Sequence, residues 1–162
     1  RFRLPPHLAD LADFEWWEWQ TYITADSEQD RLAEQGQLRI ASSVELRPFR
    51  FDLISWLESA QPDGLASEPE LLANVVLFWR DRDLDLRRTT ANQLDLFIIK
   101  AVLEAVPIQP SLAEQIGVSY PQLLSTTLDL YQSGILNGVM PESVSTDTKR
   151  TLRFPCALDR SS

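Results

Sequence analysis

Side chains that could act as nucleophiles or general bases are few in this chain. His7 is the only histidine and Cys156 the only cysteine among 162 residues. A Ser-His-Asp or Cys-His site would need His7, which lies near the start of the sequence, where we expect a solvated side chain. Cys156 lies in an apolar stretch, so we expect a small buried residue rather than a reactive thiol. An internal disulfide and a Cys/His zinc site are excluded by count, and we predict no catalytic residue, metal or cofactor.

Carboxylates are the other groups that could do chemistry. From Leu8 to Glu34 the sequence has eight acidic residues and one base, Arg31. Clustered carboxylates can hold a metal, so a stand-alone enzyme that uses the acids around Asp10 and Glu18 is one hypothesis. The acids are spread along a predicted helix and a loop, however, and a solvated acidic face is the interpretation that we favour.

The overall charge bears on the class of partner. The formal net charge is −9, which repels nucleic acid unless a local basic face overrides it. Hydrophobic residues make up 44% of the chain and charged residues 24%, as in ordinary globular proteins. No apolar run approaches the roughly 20 residues that span a bilayer, and no signal peptide is seen. We therefore expect a cytoplasmic protein without a membrane segment.

A helix is predicted from Leu8 to Gln20, directly after Pro5-Pro6. Its expected core stripe has helical spacing: Leu8, Leu11, Ala12, Trp16, Trp19 and Ile23. Phe14 and Trp17 fall on the opposite side, and a helix with aromatic residues on two faces needs a second surface to pack against. We predict that Phe14, Trp17 and Glu18 dock a partner.

The middle of the chain is extended in character. Residues 37–57 alternate apolar and polar side chains, and Phe49–Trp56 has the aromatic and β-branched residues typical of a strand. Residues 61–69 are rich in turn-forming residues and predict a linker. We therefore divide the chain into residues 1–62, a helix and extended segment, and residues 70–162.

The second half predicts a hairpin, three helices and a short strand. The hairpin strands are Asn74–Arg80 and Leu84–Arg88. Thr89 or Thr90 should cap a helix over residues 91–105, Ser111 a short helix that ends at Gly117, and Ser119 a helix that ends before Gly134. An extended segment follows over residues 135–140. The fold class is therefore α+β with a winged-helix-like second half.

A DNA-binding winged helix needs cations on its last helix, beside the phosphates. From Pro107 to Met140 there is no Lys or Arg, and the charge of the four arginines in the hairpin is largely offset by three aspartates. We therefore do not expect nucleic acid as a partner. A winged-helix transcriptional regulator, resting on the hairpin arginines and on fold analogy, stays as the alternative function.

An open hairpin edge can instead accept an extended peptide as an additional strand. We predict a peptide site between the hairpin and the third helix. Its residues are Leu84, Leu86, Arg88, Leu124, Leu128 and Tyr131. The competing interpretation is that these apolar side chains fill the domain core.

Four short motifs resemble the HvfC-type family. Leu4–Trp16 is similar to its LPYLxDLAxLEW run, and Thr24-Ala25-Asp26 to its A-x-D-A element. Phe51–Trp56 takes the place of its YPVxxIW segment, and Leu77–Asp81 that of its LVWR element. Pro6 and His7 depart from the opening motif, and Phe51-Asp52 replaces the usual Tyr-Pro. Members have been catalogued as DNA-binding proteins, and some are regarded as partners of peptide-modifying enzymes.

The resemblance implies a non-catalytic subunit. It implies a helical domain ahead of Arg1 and a partner enzyme, a TIM-barrel iron-dependent protein that modifies cysteine-containing ribosomal peptides. It also implies a precursor peptide as ligand, since the order of elements in the second half is similar to that of leader-recognition domains in such pathways.

Overall fold

Five helices and two small antiparallel sheets form the part of the chain that the computed structural model describes, residues 4–25, 37–59 and 68–140. The predicted α+β class is confirmed. The helices are α1 (Pro6–Ile23), α2 (Leu53–Glu58), α3 (Gln93–Leu103), α4 (Pro110–Ile116) and α5 (Tyr120–Gln132). The strands are β1 (Arg39–Ile40), β2 (Glu45–Phe49), β3 (Asn74–Arg80), β4 (Leu86–Thr90) and β5 (Leu136–Asn137).

β3 is the central strand of the larger sheet, whose order is β2-β3-β4. Consecutive apolar residues, as in this strand, are typical of a strand buried on both faces. Val76 and Phe78 pack with α1 and α2 on one face of the sheet. Leu77 and Trp79 pack with α3, α4 and α5 on the other face. The sheet therefore lies between two layers of helices, each with its own apolar core.

Strands from the first part of the chain pair with strands from the second part. β1 pairs with β5, with Ile40 opposite Leu136, and β2 pairs with β3, with Leu46 opposite Leu77. The division into residues 1–62 and 70–162 stays a prediction. Residues 60–67, most of the predicted linker, and Cys156 lie outside the described residues.

The segment Phe49–Trp56 was predicted as a strand, and this prediction is wrong after Phe49. The Asp52 carboxylate accepts a hydrogen bond from the Ser55 N–H at 3.1 Å and caps α2. Leu53 and Trp56, three residues apart, are then both buried on one face of this helix. Aromatic composition alone did not distinguish this short helix from a strand.

The hairpin and the three helices that follow it occur in the predicted order. Ser119 caps α5 as expected, accepting from the Gln122 N–H, and Gly117 ends α4 at φ +71°. The predicted cap of α4 is wrong: Gln109 rather than Ser111 is the N-cap, two residues earlier, because Pro110 occupies the first helical position.

The predicted caps of α3 are also wrong. Thr89 and Thr90 belong to β4, which begins at Leu86 rather than Leu84. Asn92 caps the helix instead, and the Asn92 and Asp95 side chains each accept a hydrogen bond from the other residue's backbone N–H.

Candidate functional site

The outer edge of β4 is open among the described residues, since β4 pairs only with β3. Two hydrogen bonds fix the pattern of this pairing: Ala91 N–H donates to the Val75 carbonyl, and Asp81 N–H donates to the Asp85 carbonyl. Hydrogen-bonded pairs alternate with non-bonded pairs in an antiparallel ladder. Leu86, Arg88 and Thr90, at the non-bonded positions, therefore direct their N–H and C=O groups away from β3. An additional strand would find donors and acceptors there.

The register also decides which face each side chain of β4 takes. Arg88 lies opposite Phe78 and Leu86 opposite Arg80, so both side chains project toward α1. Arg87, opposite Trp79, projects toward the face that α5 covers. A peptide added to this edge would accordingly place alternate side chains on the α1 face and the α5 face.

Ion pairs hold the side chains along this edge. The Arg88 guanidinium pairs with the Glu18 carboxylate of α1 and lies 5.4 Å above the Phe14 ring. On the other face, Arg87 pairs with Asp81 at 2.6 Å and with Asp85 at 3.2 Å. The hydrogen bond from Arg87 outweighs the opposing effect of burial and lowers the pKa of Asp81 below its ordinary value. The two arginines of the strand are thus already engaged within the chain.

The turn between β3 and β4 is built on Asp81. Its carboxylate accepts hydrogen bonds from the N–H groups of Asp83 and Asp85, and its carbonyl accepts from Leu84 N–H. Leu84 has φ +67°, a conformation that favours glycine, and its side chain is 55% exposed. An exposed leucine in a strained turn position is a candidate contact residue, because neither local geometry nor core packing accounts for it.

The turn rests against the end of α5. Arg82 donates to the Tyr131 carbonyl at 3.2 Å, and its guanidinium lies 4.8 Å from the Tyr131 ring centroid. The Trp79 indole donates to the Ser133 carbonyl at 2.8 Å. Gly134 packs against the turn: its φ of +86° favours glycine, and a Cβ there would lie in van der Waals contact with the Asp81 Cα at 3.4 Å. The hairpin is therefore fixed relative to α5.

The six residues predicted to bind peptide do not form one groove. Leu84, Leu86 and Arg88 lie in the turn and on β4, with the last two on the α1 face. Leu124 and Tyr131 pack against the core on the α5 face, as the competing interpretation expected, while Leu128 is 41% exposed. The single groove is thus corrected to an edge with two faces. The register of β4 on β3 is what places the hairpin residues and the α5 residues on different faces, and this register cannot be read from the sequence.

The predicted docking trio lies on the inner side of α1. Phe14 is fully buried, with ring centroids 5.0 Å from Phe78, and so cannot lie on a docking surface. Trp17 is half-buried under the Arg47 guanidinium, 3.4 Å from the ring centroid, and Glu18 is paired with Arg88. The predicted core stripe is wrong in the same way, since Trp16, Trp19 and Ile23 are about half exposed. The buried face of α1 escaped detection because it includes polar residues.

Two of those polar residues, Asp10 and His7, have neighbours that account for their burial. Asp10 accepts hydrogen bonds from the Arg50 backbone N–H at 3.0 Å and from the Arg50 guanidinium at 3.1 Å. Burial raises the pKa of Asp10, but these hydrogen bonds and the charge of Arg50 outweigh it and lower the pKa below its usual value. His7 is buried rather than solvated, with its ring 5.6 Å from that of Trp56.

The acids proposed for a metal-dependent enzyme do not converge. Asp10 pairs with Arg50 and Glu18 with Arg88. In the ranges that the structure describes, no group of three His, Cys, Asp or Glu residues is placed to hold a metal ion.

DNA binding would need cations on α5 or free arginines in the hairpin. α5 has no Lys or Arg, and its exposed residues include Asp129. Arg82, Arg87 and Arg88 are engaged with Tyr131, the turn aspartates and Glu18. The geometry therefore favours the edge of β4 over α5 as the functional surface.

Comparison with known proteins leaves the site to be interpreted from its own geometry. Neither a scan against protein-family models nor a search of curated proteins finds a match to this chain. Among the described helices, none is both long and apolar enough to cross a bilayer.

Proposed function

We propose that this chain is a non-catalytic peptide-recognition subunit that captures a precursor peptide as an additional strand on the outer edge of β4. The observation that carries the proposal is the open edge itself, with the N–H and C=O groups of Leu86, Arg88 and Thr90 directed outward. Main-chain hydrogen bonds supply affinity in this mode, and pockets for alternate side chains supply specificity.

The surroundings of the edge suit a peptide. β4 stays in register with β3 over five residues, and its two arginines are fixed by ion pairs to Asp81 and Glu18. A preorganised edge loses little conformational entropy on binding. Leu84 offers an exposed apolar side chain where an added strand would reach the turn.

The resemblance to the HvfC-type family supplies the biological setting of the proposal. In this setting the second half acts as a winged-helix-like leader-recognition domain, and the ligand is the leader of a cysteine-containing ribosomal peptide. A TIM-barrel iron-dependent enzyme would modify the peptide while this subunit holds it in the cytoplasm.

Backbone methylation of a bound peptide tests the proposal. Peptides would be selected from a displayed library of leader segments of cysteine-containing ribosomal peptides, and their Kd measured by fluorescence anisotropy. N-methylation at alternate residues should weaken binding about tenfold or more, because each methyl removes one hydrogen bond and adds a clash with β4. Methylation at the intervening residues should change Kd less than about threefold, because those N–H groups face solvent.

Two outcomes would reject strand addition. One is a best Kd no tighter than millimolar. The other is a loss of affinity that does not alternate along the peptide. Binding of duplex DNA with a steep dependence on salt would instead favour the transcriptional regulator.

A further inference from the structure

The outer face of α1 presents a row of large apolar side chains that no described residue covers. Trp16 is 54% exposed, Trp19 52%, Tyr22 62% and Ile23 48%. The two indole rings contact each other, with centroids 5.3 Å apart. We call these four residues the outer ridge. From the usual area of aromatic side chains the ridge exposes on the order of 400 Å², as large as the principal patch of a typical monomer.

The charges beside the outer ridge indicate what covers it. α1 contains four carboxylates and no Lys or Arg. The two on its inner side, Asp10 and Glu18, are each paired with an arginine of the sheet region. The other two, Asp13 and Glu15, are exposed and have no partner among the described residues. Helical spacing sets Asp13 beside Trp16 and Glu15 beside Trp19, so each of these two carboxylates borders an indole.

We propose that the outer ridge docks a partner protein whose apolar groove is rimmed by Lys or Arg side chains. Tryptophans at the centre with charged groups at the edge match the anatomy of a protein interface. A specific interface covers about 800 Å² on each partner, so the ridge would supply its apolar centre and Asp13 and Glu15 part of its rim.

Charge argues against two other occupants. A second copy of this chain that used the same face would set Asp13 and Glu15 against identical carboxylates without a compensating cation from α1. An anionic lipid surface would be repelled in the same way. The outer ridge would be the docking site of the partner enzyme in the proposed function. Only the identity of the partner as an enzyme rests on that function.

Photo-crosslinking identifies the occupant. Benzoylphenylalanine would replace Ala12, which is exposed and one turn before Trp16, in cells of the source organism; the control would place it at the exposed Ser125 of α5. A protein that crosslinks from position 12 and not from 125 would be identified by mass spectrometry and purified. The proposal expects a crosslinked segment that is apolar and has Lys or Arg within a few residues.

Binding of the purified partner to the full chain then tests the chemistry. Trp19→Ala should weaken Kd about thirtyfold or more. The double variant Asp13→Asn, Glu15→Gln should weaken Kd about threefold to tenfold at 50 mM salt and reduce the salt dependence seen with the wild type. The proposal is overturned by crosslinks to a second copy or to lipid, by the absence of a crosslink, or by affinity that ignores these substitutions.

Failure here can be told apart from failure of peptide capture. Trp19→Ala leaves β4 intact, so its Kd for a selected leader peptide should equal that of the wild type. The alternating effect of N-methylation is measured on this chain alone and does not depend on the partner.

Discussion

Proline placed at adjacent positions of β4 should separate folding from peptide binding. Thr89 lies opposite Leu77 in a hydrogen-bonded pair, so its N–H donates to β3. Thr90 lies opposite Val76 in a non-bonded pair, so its N–H faces the open edge. Both residues are exposed on the same strand, which makes them a matched pair for substitution.

The magnitudes follow from the groups that lose a partner. Thr89→Pro leaves the carbonyl of the fully buried Leu77 without its donor, and a buried unsatisfied group costs about 1–3 kcal/mol of the free energy of unfolding. Thr90→Pro removes an N–H that points away from β3, so the loss should stay below about 1 kcal/mol. It also removes a hydrogen bond to an added peptide strand, and the ring occupies the edge, so Kd should rise about tenfold.

Urea unfolding measures the first quantity, and fluorescence anisotropy with a selected leader peptide measures the second. Thr90→Val is the control, because it keeps the N–H and should bind like the wild type. Equal destabilisation by the two prolines would show that the register of β4 is misassigned. An unchanged Kd for Thr90→Pro would refute strand addition at this edge even if the register is right.

Three further predictions concern stability. Thr21→Val should raise the free energy of unfolding, measured in urea, by about 1 kcal/mol, because the buried Thr21 hydroxyl has no hydrogen-bond partner among the described residues. Thr127→Val should not stabilise, because that hydroxyl donates to a backbone carbonyl at 2.7 Å, and equal effects of the two substitutions would contradict this. Ala105→Gly should stabilise by about 0.5–1 kcal/mol, since Ala105 directly follows the C-cap of α3, Glu104, at φ +54°. Gly117→Ala (φ +71°) should destabilise by about as much, and a thermal melt with the opposite order would refute this. The folded pKa of Asp10 lies below the ordinary aspartate value of 3.8, so its contribution to stability is present above pH 3.8 and is lost as pH falls through the folded pKa. The stability difference between the wild type and Asp10→Asn should be constant near neutral pH and shrink in acid, and a difference that grows in acid would reverse the assignment.

Elements governed by short-range rules could be predicted from the sequence. The aspartates between a consecutive apolar run and an alternating run predicted the hairpin, and Ser119 before Tyr120-Pro121 predicted the start of α5. In each case the residue that defines the boundary makes its hydrogen bonds within a few positions along the chain, so no tertiary information is needed.

Elements whose buried faces depend on residues far away in the chain could not be predicted from the sequence. The buried side of α1 includes Asp10 and Thr21, and Asp10 is tolerated there only because Arg50, forty residues away, hydrogen-bonds to it. The hydrophobic pattern therefore indicated the opposite face. The predicted site failed for a related reason, since Leu86 and Leu124 are both apolar but the pairing of β4 with β3 puts them on different faces of the sheet.

α1 connects the two proposed surfaces. Its inner side holds Arg88 of the edge strand through Glu18, and its outer side carries Trp16 and Trp19. A helix is about 10 Å across, and β4 belongs to the sheet on which α1 packs. A protein docked on the outer ridge would then be separated from a peptide on β4 by about the width of one helix. The packing of Phe14 against Phe78 holds α1 on the sheet and so fixes this separation. Glu18→Gln removes the ion pair to Arg88 and tests whether the two surfaces are coupled. The loss of peptide affinity should be larger when the partner protein is bound than for the chain alone. Equal losses would mean that the two surfaces act independently.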